Sequence, residues 1–393
     1  MNKSKKIKII LSIIAISFIQ GLQFSISPVL GQIRESYPAV SVSMVQMLIT
    51  APALCSVVVA LASGVLVMKT SKKKLLLFAG FVAGITGFIP FLSDSFSLLF
   101  FSRICYGIAL GIAITLNTAV VAEFFQGDER VSVMGIQSAS IGAGMVFITT
   151  LGGMLGVFGY RAAYFLHIIG FLSLAVIAFC LPDTGKTSTP GEKGVRLNGK
   201  VLRISLLGMV VFLFLITYTT NISMHLEGSI AGDSKVAGLL TGTFSGAQIV
   251  MGLILGSIVK ITGKYTLPAA MLLFSAGGIL LILYPGNIAM LMAGGTLCGF
   301  SQGMFVPRAM CEVSDAVAPA AAAMAAACFT CFMCFGQTIS PFVLNTVSGL
   351  IFHSVTTGHV YLISVSAMAV AAAVVIIRKS IWESKKTTEM KGA

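Results

Sequence analysis

Arg103 stands inside the apolar run 97–122 and is the one basic residue placed well within such a run. A guanidinium keeps its charge at any ordinary pH, so in apolar surroundings it must meet water, an anionic group or backbone carbonyls. Read for chemistry, Arg103 offers a counter-charge to an anionic ligand or an electrostatic control on a nearby proton site. Read blandly, it ties backbone carbonyls. On the first reading, Arg103→Ala changes ligand selectivity and leaves the fold largely intact. Amides supply most of the remaining polar chemistry. Gln20, Gln23 and Ser27 follow i, i+3, i+7 spacing, as do Tyr218, Asn221 and His225, so each set shares one face of a helix. Asn117, Gln248, Gln302 and Gln337 are further hydrogen-bonding side chains in or beside apolar runs. His167 and His225 titrate in the range where proton exchange is useful, although a hydrogen-bonded structural histidine is the commoner case. These residue types suit reversible, non-covalent recognition. H-E-x-x-H and G-x-x-x-x-G-K-[ST] do not occur, and the one G-x-S-x-G, Gly299 to Gly303, lies inside an apolar run and not at a strand-to-helix turn, so an intramembrane enzyme or an ATP-driven machine has no motif to rest on. Cys328-x-x-Cys331-x-x-Cys334 has cluster-like spacing but no fourth ligand nearby, and it reads as small-residue packing. No metal and no cofactor is expected.

The elements that must position these residues are long and apolar. The chain has 393 residues, 56% hydrophobic and 10% charged, where a soluble domain carries roughly 25% charged residues. Those charges are too few to coat a water-facing surface. Twelve stretches approach the ~20 residues that cross a bilayer as a helix. They are 9–30, 42–68, 75–93, 97–122, 131–157, 162–181, 201–225, 236–259, 267–285, 287–311, 320–346 and 359–377. Lipid offers no hydrogen-bond partners, so spans are helices or closed barrels, and the lack of period-two alternation excludes a barrel. Lys3, Lys5, Lys6 and Lys8 precede the first run as in a secretory signal. That run continues past Ser25 without a small-x-small cleavage site, which reads as an uncleaved first helix.

Charge placement sets the orientation. Arg34, Arg161 and Lys235 fall in one set of loops and Arg103 within a span; the other 22 of the 26 basic residues fall on the side of the N-terminus. Such asymmetry puts that side, with both termini, in the cytoplasm. It also accounts for the net charge of +13 without a nucleic-acid partner. Pro182 to Lys200 is rich in turn residues and reads as a tether. The organisation is therefore a bundle over 1–181, a linker over 182–200, a second bundle over 201–378 and a tail over 379–393. The bundles are repeats. A shift of 192 lays each span of the first on a span of the second, Gly64 on Gly256, Lys72 on Lys264, Gly107 and Gly111 on Gly299 and Gly303, Glu123 on Asp315, and Gly144 on Gly336. Two parallel repeats imply a pseudo-two-fold axis along the membrane normal, with a binding site between them.

Several motifs in this layout resemble the major facilitator superfamily, and the resemblance covers nearly the whole chain. Gly64-Val-Leu-Val-Met-Lys69-Thr-Ser-Lys72-Lys73-Lys74 is similar to the family's glycine-to-basic loop between helices 2 and 3, with Met68 where the usual acid stands and Ser71 where a second glycine stands. Arg103-Ile-Cys-Tyr-Gly107-Ile-Ala-Leu-Gly111 is similar to its buried-arginine motif. Glu123 to Gly135, with Glu129-Arg130, resembles its helix 4–5 loop, and Gly159-Tyr160-Arg161 its helix 6 entry. Helix 5 has Gly144, Gly152 and Gly153 but carries Ile148 and Thr149 in place of the antiporter signature's Gly-Pro pair.

The resemblance implies an all-α membrane protein with twelve spanning helices in two pseudo-symmetric six-helix bundles. It implies that helices 1, 4, 7 and 10 line a central cavity, where Gln20, Gln23, Arg103, Asn117, Tyr218, Asn221, Gln248, Gln302 and Gln337 are the candidate solute contacts. It further implies gating at Gly64, Lys69, Lys72, Glu123 and Arg130, and in the second half at Gly256, Lys264 and Asp315. The expected function is secondary transport of a small organic solute across the cytoplasmic membrane by alternating access. Export of an anionic or neutral amphipathic compound leads; import or exchange of a small organic anion is the alternative. Protons are a candidate coupling ion, though no carboxylate sits mid-span, and a monomer is expected.

Overall fold

Ser41, Ser71, Asn198, Asp233 and Asn287 each accept a backbone N–H from the first turn of the helix they precede. Polar caps of this kind satisfy donors that a helix end would otherwise leave bare. The computed structural model describes residues 3–185, 198–317 and 322–392. The long helices of the first half are α1 (Lys3–Gly21), α2 (Val42–Lys69), α3 (Lys72–Thr86), α4 (Phe96–Phe124), α5 (Gly127–Leu155) and α6 (Ile168–Cys180). Those of the second half are α7 (Gly199–Leu215), α8 (Ser234–Thr262), α9 (Thr266–Leu283), α10 (Ile288–Ser314), α11 (Ala322–Phe352) and α12 (Thr357–Gly392). Short helical pieces extend α1 through Leu30–Ser36 and α7 through Thr217–His225.

Among the described residues, 11 stretches are long and apolar enough to cross a membrane. One of them, Ser234–Leu283, runs 50 residues, about 75 Å if straight at ~1.5 Å per residue and far beyond a ~30 Å hydrocarbon core. It is two helices, α8 and α9, folded back at Gly263–Tyr265. Gly263 has φ 51° there, a backbone conformation open to glycine and costly to most other residues. Counted as two, they give every expected span a helix. The linker expected over 182–200 lies for the most part, 186–197, outside the described residues.

Burial follows the division into halves. The apolar core of the second half draws only on residues from Val201 to Ala372. Two clusters fill the first half, one from Ile9 to Leu181 and one around Ile26, Leu48 and Tyr164. Close helix pairing within each half rests on the small-residue motifs. A Cβ on Gly107 would lie 2.7 Å from the Pro52 carbonyl oxygen, and one on Gly111 would lie 2.5 Å from that of Ser56. In the second half, a Cβ on Gly299 would lie 2.3 Å from the Phe244 carbonyl oxygen and one on Gly303 2.6 Å from that of Gln248. All four contacts map onto one another under the shift of 192 read from the sequence. α4 on α2 and α10 on α8 are thus the same packing made twice.

Candidate functional site

The two halves meet near the end opposite the basic N-terminus. Ser27 Oγ donates to the Thr219 carbonyl at 2.5 Å, and Gly31 N–H donates to Ser223 Oγ at 3.2 Å, each pair separated in sequence by 192. Residues related by the repeat can touch only near the axis that relates them, so these contacts mark the pseudo-two-fold axis. Two seams flank it. Along α2 and α11 the seam is amide chemistry. Gln46 Nε2 donates to Asn221 Oδ1 at 2.7 Å, and Asn345 Nδ2 donates to Gln46 Oε1 at 2.8 Å and to Ser43 Oγ at 2.9 Å. Thr338 Oγ1 reaches the Thr50 carbonyl at 3.2 Å one turn further on. Along α5 and α8 the seam is glycine. A Cβ on Gly153 would sit 2.3 Å from the Ser234 carbonyl oxygen and 2.6 Å from Gly238 Cα. Position 153 corresponds to 345 and position 238 to 46, so pseudo-equivalent points are closed by hydrogen bonds on one side and by bare backbone contact on the other.

Toward the basic end the α5–α8 seam parts. On α5 and α8, Gly142 still meets Ile249, but a Cβ on Gly135, Gly252 or Gly256 would meet nothing within 4 Å. The halves therefore enclose a cleft closed at one end and open on the basic face.

Arg103 does not look into that cleft. It is 0% exposed. Its Nε donates to the Leu48 carbonyl at 2.8 Å and its Nη2 to the Gln23 carbonyl at 2.5 Å, while Nη1 lies 3.4 Å from His167 Nε2. Pro52 sits four residues after Leu48 and has no N–H to give it, so Arg103 occupies the carbonyl that the proline leaves free. The Gln23 carbonyl belongs to the break between α1 and its extension, where helix gives way to 3-10 turns. His167 Nδ1 lies 2.8 Å from the Ala83 carbonyl oxygen and must donate to it, which leaves Nε2 as an acceptor facing the arginine. The expectation of Arg103 as a solute counter-charge thus meets a closed site with its donors engaged. In the second half the same position is Gly295. Its space is taken by the Tyr218 hydroxyl, which donates to the Leu240 carbonyl, the counterpart of Leu48, at 3.0 Å.

The other expected contacts divide. Gln23 is buried and donates to the Ile49 carbonyl at 3.2 Å, and Asn221 belongs to the amide seam. Tyr218 lies inside the second core, stacked on Phe244. Gln337 is buried beside Thr338, and Gln248 and Gln302 are half-buried on α8 and α10. Gln20 and Asn117 come together. Asn117 Nδ2 donates to Ser17 Oγ at 3.0 Å, Ser17 Oγ lies 3.5 Å from the Gln137 carbonyl, Gln137 Nε2 donates to Thr118 Oγ1 at 3.2 Å, and Gln20 Nε2 reaches the Ala113 carbonyl at 3.5 Å. This polar wall joins α1, α4 and α5 on the open side of the seal. Gln46, Ser43, Asn345 and Gln137 were legible as amides and hydroxyls within spans, but no spacing rule pairs residues of different halves.

The gating candidates lie on the basic face. Lys72 Nζ pairs with Glu123 at 2.8 Å, and Lys6 pairs with Glu129 at 2.6 Å, both within the first half. Arg130, Lys69 and Asp315 are exposed, Lys264 Nζ lies 4.7 Å from the centre of the Tyr265 ring, and Gly64 lies within α2. The loop's acid, absent at Met68, is supplied from elsewhere. Asp183, just after α6, accepts from Ser71 Oγ at 3.2 Å and from the Gly185 N–H at 3.0 Å. The Gly185 N–H, then the Ser71 hydroxyl, hold the Asp183 carboxyl below its ordinary pKa. Glu123→Gln removes a partly exposed ion pair worth at most ~1 kcal/mol. The thermal midpoint is expected to fall by no more than roughly 4 °C, and a much larger fall in a detergent melt would refute so local a role.

The sequence matches the Major Facilitator Superfamily profile over residues 10–226 and 204–392. Quinolone resistance protein NorA of Staphylococcus aureus (strain MSSA476) is 22% identical over 247 residues, a match spanning 61% of this chain and 64% of that one. Multidrug resistance protein 2 of Bacillus subtilis (strain 168) is 27% identical over 187 residues, 47% of this chain and 46% of that one. The crystal structure of nucleoside transporter NupG (D323A mutant) superposes with a TM-score of 0.78 at 14% identity, covering 94% of this chain and 99% of that chain. With its two six-helix halves joined at one end of a central cleft, the chain belongs to the Major Facilitator Superfamily and is a multi-pass membrane protein.

Proposed function

We propose that this transporter exports an uncharged amphipathic small molecule from the cytoplasm, alternating a central site between the two membrane faces. The observation that carries the reading is the cleft: sealed by amides and glycines at one end, open on the face rich in lysine, with its buried arginine turned away. The excess of basic residues on that face supports placing it, and both termini, on the cytoplasmic side. The conformation is then one loaded from within. NorA's name attaches quinolone resistance to a relative, and resistance of that kind is consistent with export. An organic anion, imported or exchanged, would call for a positive group on the cleft wall, whereas Arg103 spends its donors on Leu48, Gln23 and His167. No described carboxylate lies at mid-membrane depth, and His167 and His225 are both tied to backbone carbonyls, so proton coupling has few seats.

Vesicles test direction and coupling together. Inverted vesicles are expected to accumulate an uncharged amphipathic aromatic amide such as chloramphenicol faster than right-side-out vesicles of equal protein content. Accumulation confined to right-side-out vesicles would overturn export. Accumulation that ignores both pH gradient and membrane potential would replace coupled transport by facilitated diffusion.

A further inference from the structure

Away from the cleft, the basic face of the first half carries a cavity of about 420 Å³ where the start of α1, the start of α3 and the end of α6 meet. Its walls differ in kind. Lys5, Lys8 and Lys73 line it together with Ser4, and Phe179 and Leu181 line it from α6 and the residue after it. Lys5 and Lys8 stand at i, i+3 on α1 and so share a face. Lys73 comes from the first turn of α3, the positive end of a helix dipole, where an acid is favoured and a lysine is not. Its Nζ donates to the Ala178 carbonyl at 2.8 Å, which holds the ammonium at the end of α6 with two donors to spare. Three ammonium groups around one cavity repel one another, and no described carboxylate lines it. Neighbouring lysines are treated differently. Lys6 is paired with Glu129 and Lys72 with Glu123, and the adjacent cavity of Lys69 and Lys74 has Asp183 in its wall. An anion is thus what the lysine cavity lacks.

We propose that this cavity binds the phosphate headgroup of an anionic phospholipid, held by Lys5, Lys8 and Lys73. The surroundings favour a lipid over a soluble phosphate. Phe179 is 85% exposed at the end of a membrane-spanning helix. Leu172, seven residues earlier and on the same face of α6, is exposed too, as are Ile7 and Leu11 on α1. α1 and α6 pack side by side, with Ser173 Oγ donating to the Ala15 carbonyl at 2.9 Å. The apolar surface beside the lysines therefore continues along both helices into the bilayer, where an acyl chain follows a headgroup. Basic pockets between helices at the membrane surface suit such headgroups, and lysine meets phosphate as a point charge. The site lies wholly in the first half, so it is independent of the cleft and of the direction of transport.

The full chain in an uncharged detergent is titrated with phosphatidylglycerol or with phosphatidylcholine, and bound lipid is counted by native mass spectrometry. The wild type is expected to retain phosphatidylglycerol in preference. Lys5→Gln/Lys8→Gln is expected to weaken that retention about 25-fold, roughly fivefold for each lysine, the factor that ~1 kcal/mol sets. Lys200→Gln/Arg203→Gln removes the same charge from exposed positions of the second half on the same face. Screening by salt is expected to hold its effect to roughly twofold at most. Phe179→Ser keeps the charge and is expected to weaken retention several-fold. Equal retention of the two lipids by the wild type would overturn the proposal. So would equal losses in the two charge variants, because the lysines would then act only as diffuse surface charge. Displacement of the lipid by an equal concentration of inorganic phosphate, or retention untouched by Phe179→Ser, would overturn the lipid and leave a soluble phosphate in its place. If Lys5→Gln/Lys8→Gln melts early, the wild-type preference and Phe179→Ser still decide.

Discussion

Arg103→Ala is expected to cost the protein stability before it alters any selectivity. The substitution strands the carbonyls of Leu48 and Gln23 inside the first bundle and leaves His167 Nε2 without its neighbour. A buried polar group that loses its partner costs about 1–3 kcal/mol, so two carbonyls amount to roughly 2–6 kcal/mol. On a half of this size the thermal midpoint in detergent is expected to fall by about 5–15 °C. Arg103→Lys is expected to recover only part of that, because one ammonium replaces a fork that reaches three acceptors. Pro52 supplies a sharper test. The Leu48 carbonyl is free only because Pro52 cannot donate to it, so Pro52→Ala restores an N–H within α2. Pro52→Ala is therefore expected to relieve part of the Arg103→Ala defect, a coupling that a double-mutant cycle reads directly. An Arg103→Ala protein that melts like the wild type but changes its preferred solute would return the arginine to the cleft as a counter-charge.

The expected loss of stability reverses what the sequence suggests of Arg103, and the reason is instructive. An isolated charge in an apolar run advertises a partner, yet it does not say whether that partner is a ligand or the backbone. Carbonyls carry no residue signature. Pro52 was the available clue, 51 positions upstream of Arg103, and its meaning depends on knowing that α2 packs on α4 through Gly107. The span pattern and the repeat were open to reading because lipid imposes them locally: apolar length, lysine placement, and glycine where two backbones must approach. Even the fold-back at Gly263 is a local matter of one glycine. The seal is of another kind. Gln46 and Asn345 lie 299 residues apart and meet only through the packing of one half on the other. Asp183 shows the same limit at the basic face, reaching Ser71 across 112 residues to supply the acid that the loop at Met68 lacks.

Gly153→Val is expected to abolish transport while leaving each half folded. The glycine seam has no slack: an added Cβ would fall 2.3 Å from the Ser234 carbonyl oxygen and 2.6 Å from Gly238 Cα, and both neighbours are backbone. Valine adds two methyl groups beyond that Cβ and fixes χ1 as well, so no rotamer can clear the contact. Ser234 and Gly238 belong to α8 of the opposite half, so the strain is relieved by separating the halves at this end, not by unpacking either core. Asn345→Leu attacks the other seam more gently. It leaves Gln46 Oε1 and Ser43 Oγ without their donor, a cost of about 1–3 kcal/mol, enough to shift a two-state equilibrium roughly 5- to 150-fold. The two variants therefore act in the same direction with different force. Hydrogen–deuterium exchange of the purified protein is expected to show lost protection around 149–156 and 234–242 in Gly153→Val, with the basic-face ends of α5 and α8 gaining it. Asn345→Leu is expected to show a partial version, together with slower transport. Wild-type transport by Gly153→Val with an unaltered exchange pattern would mean that the glycine contact is incidental. If neither half can separate at this end, nothing remains to carry a solute from the open cleft to the other face.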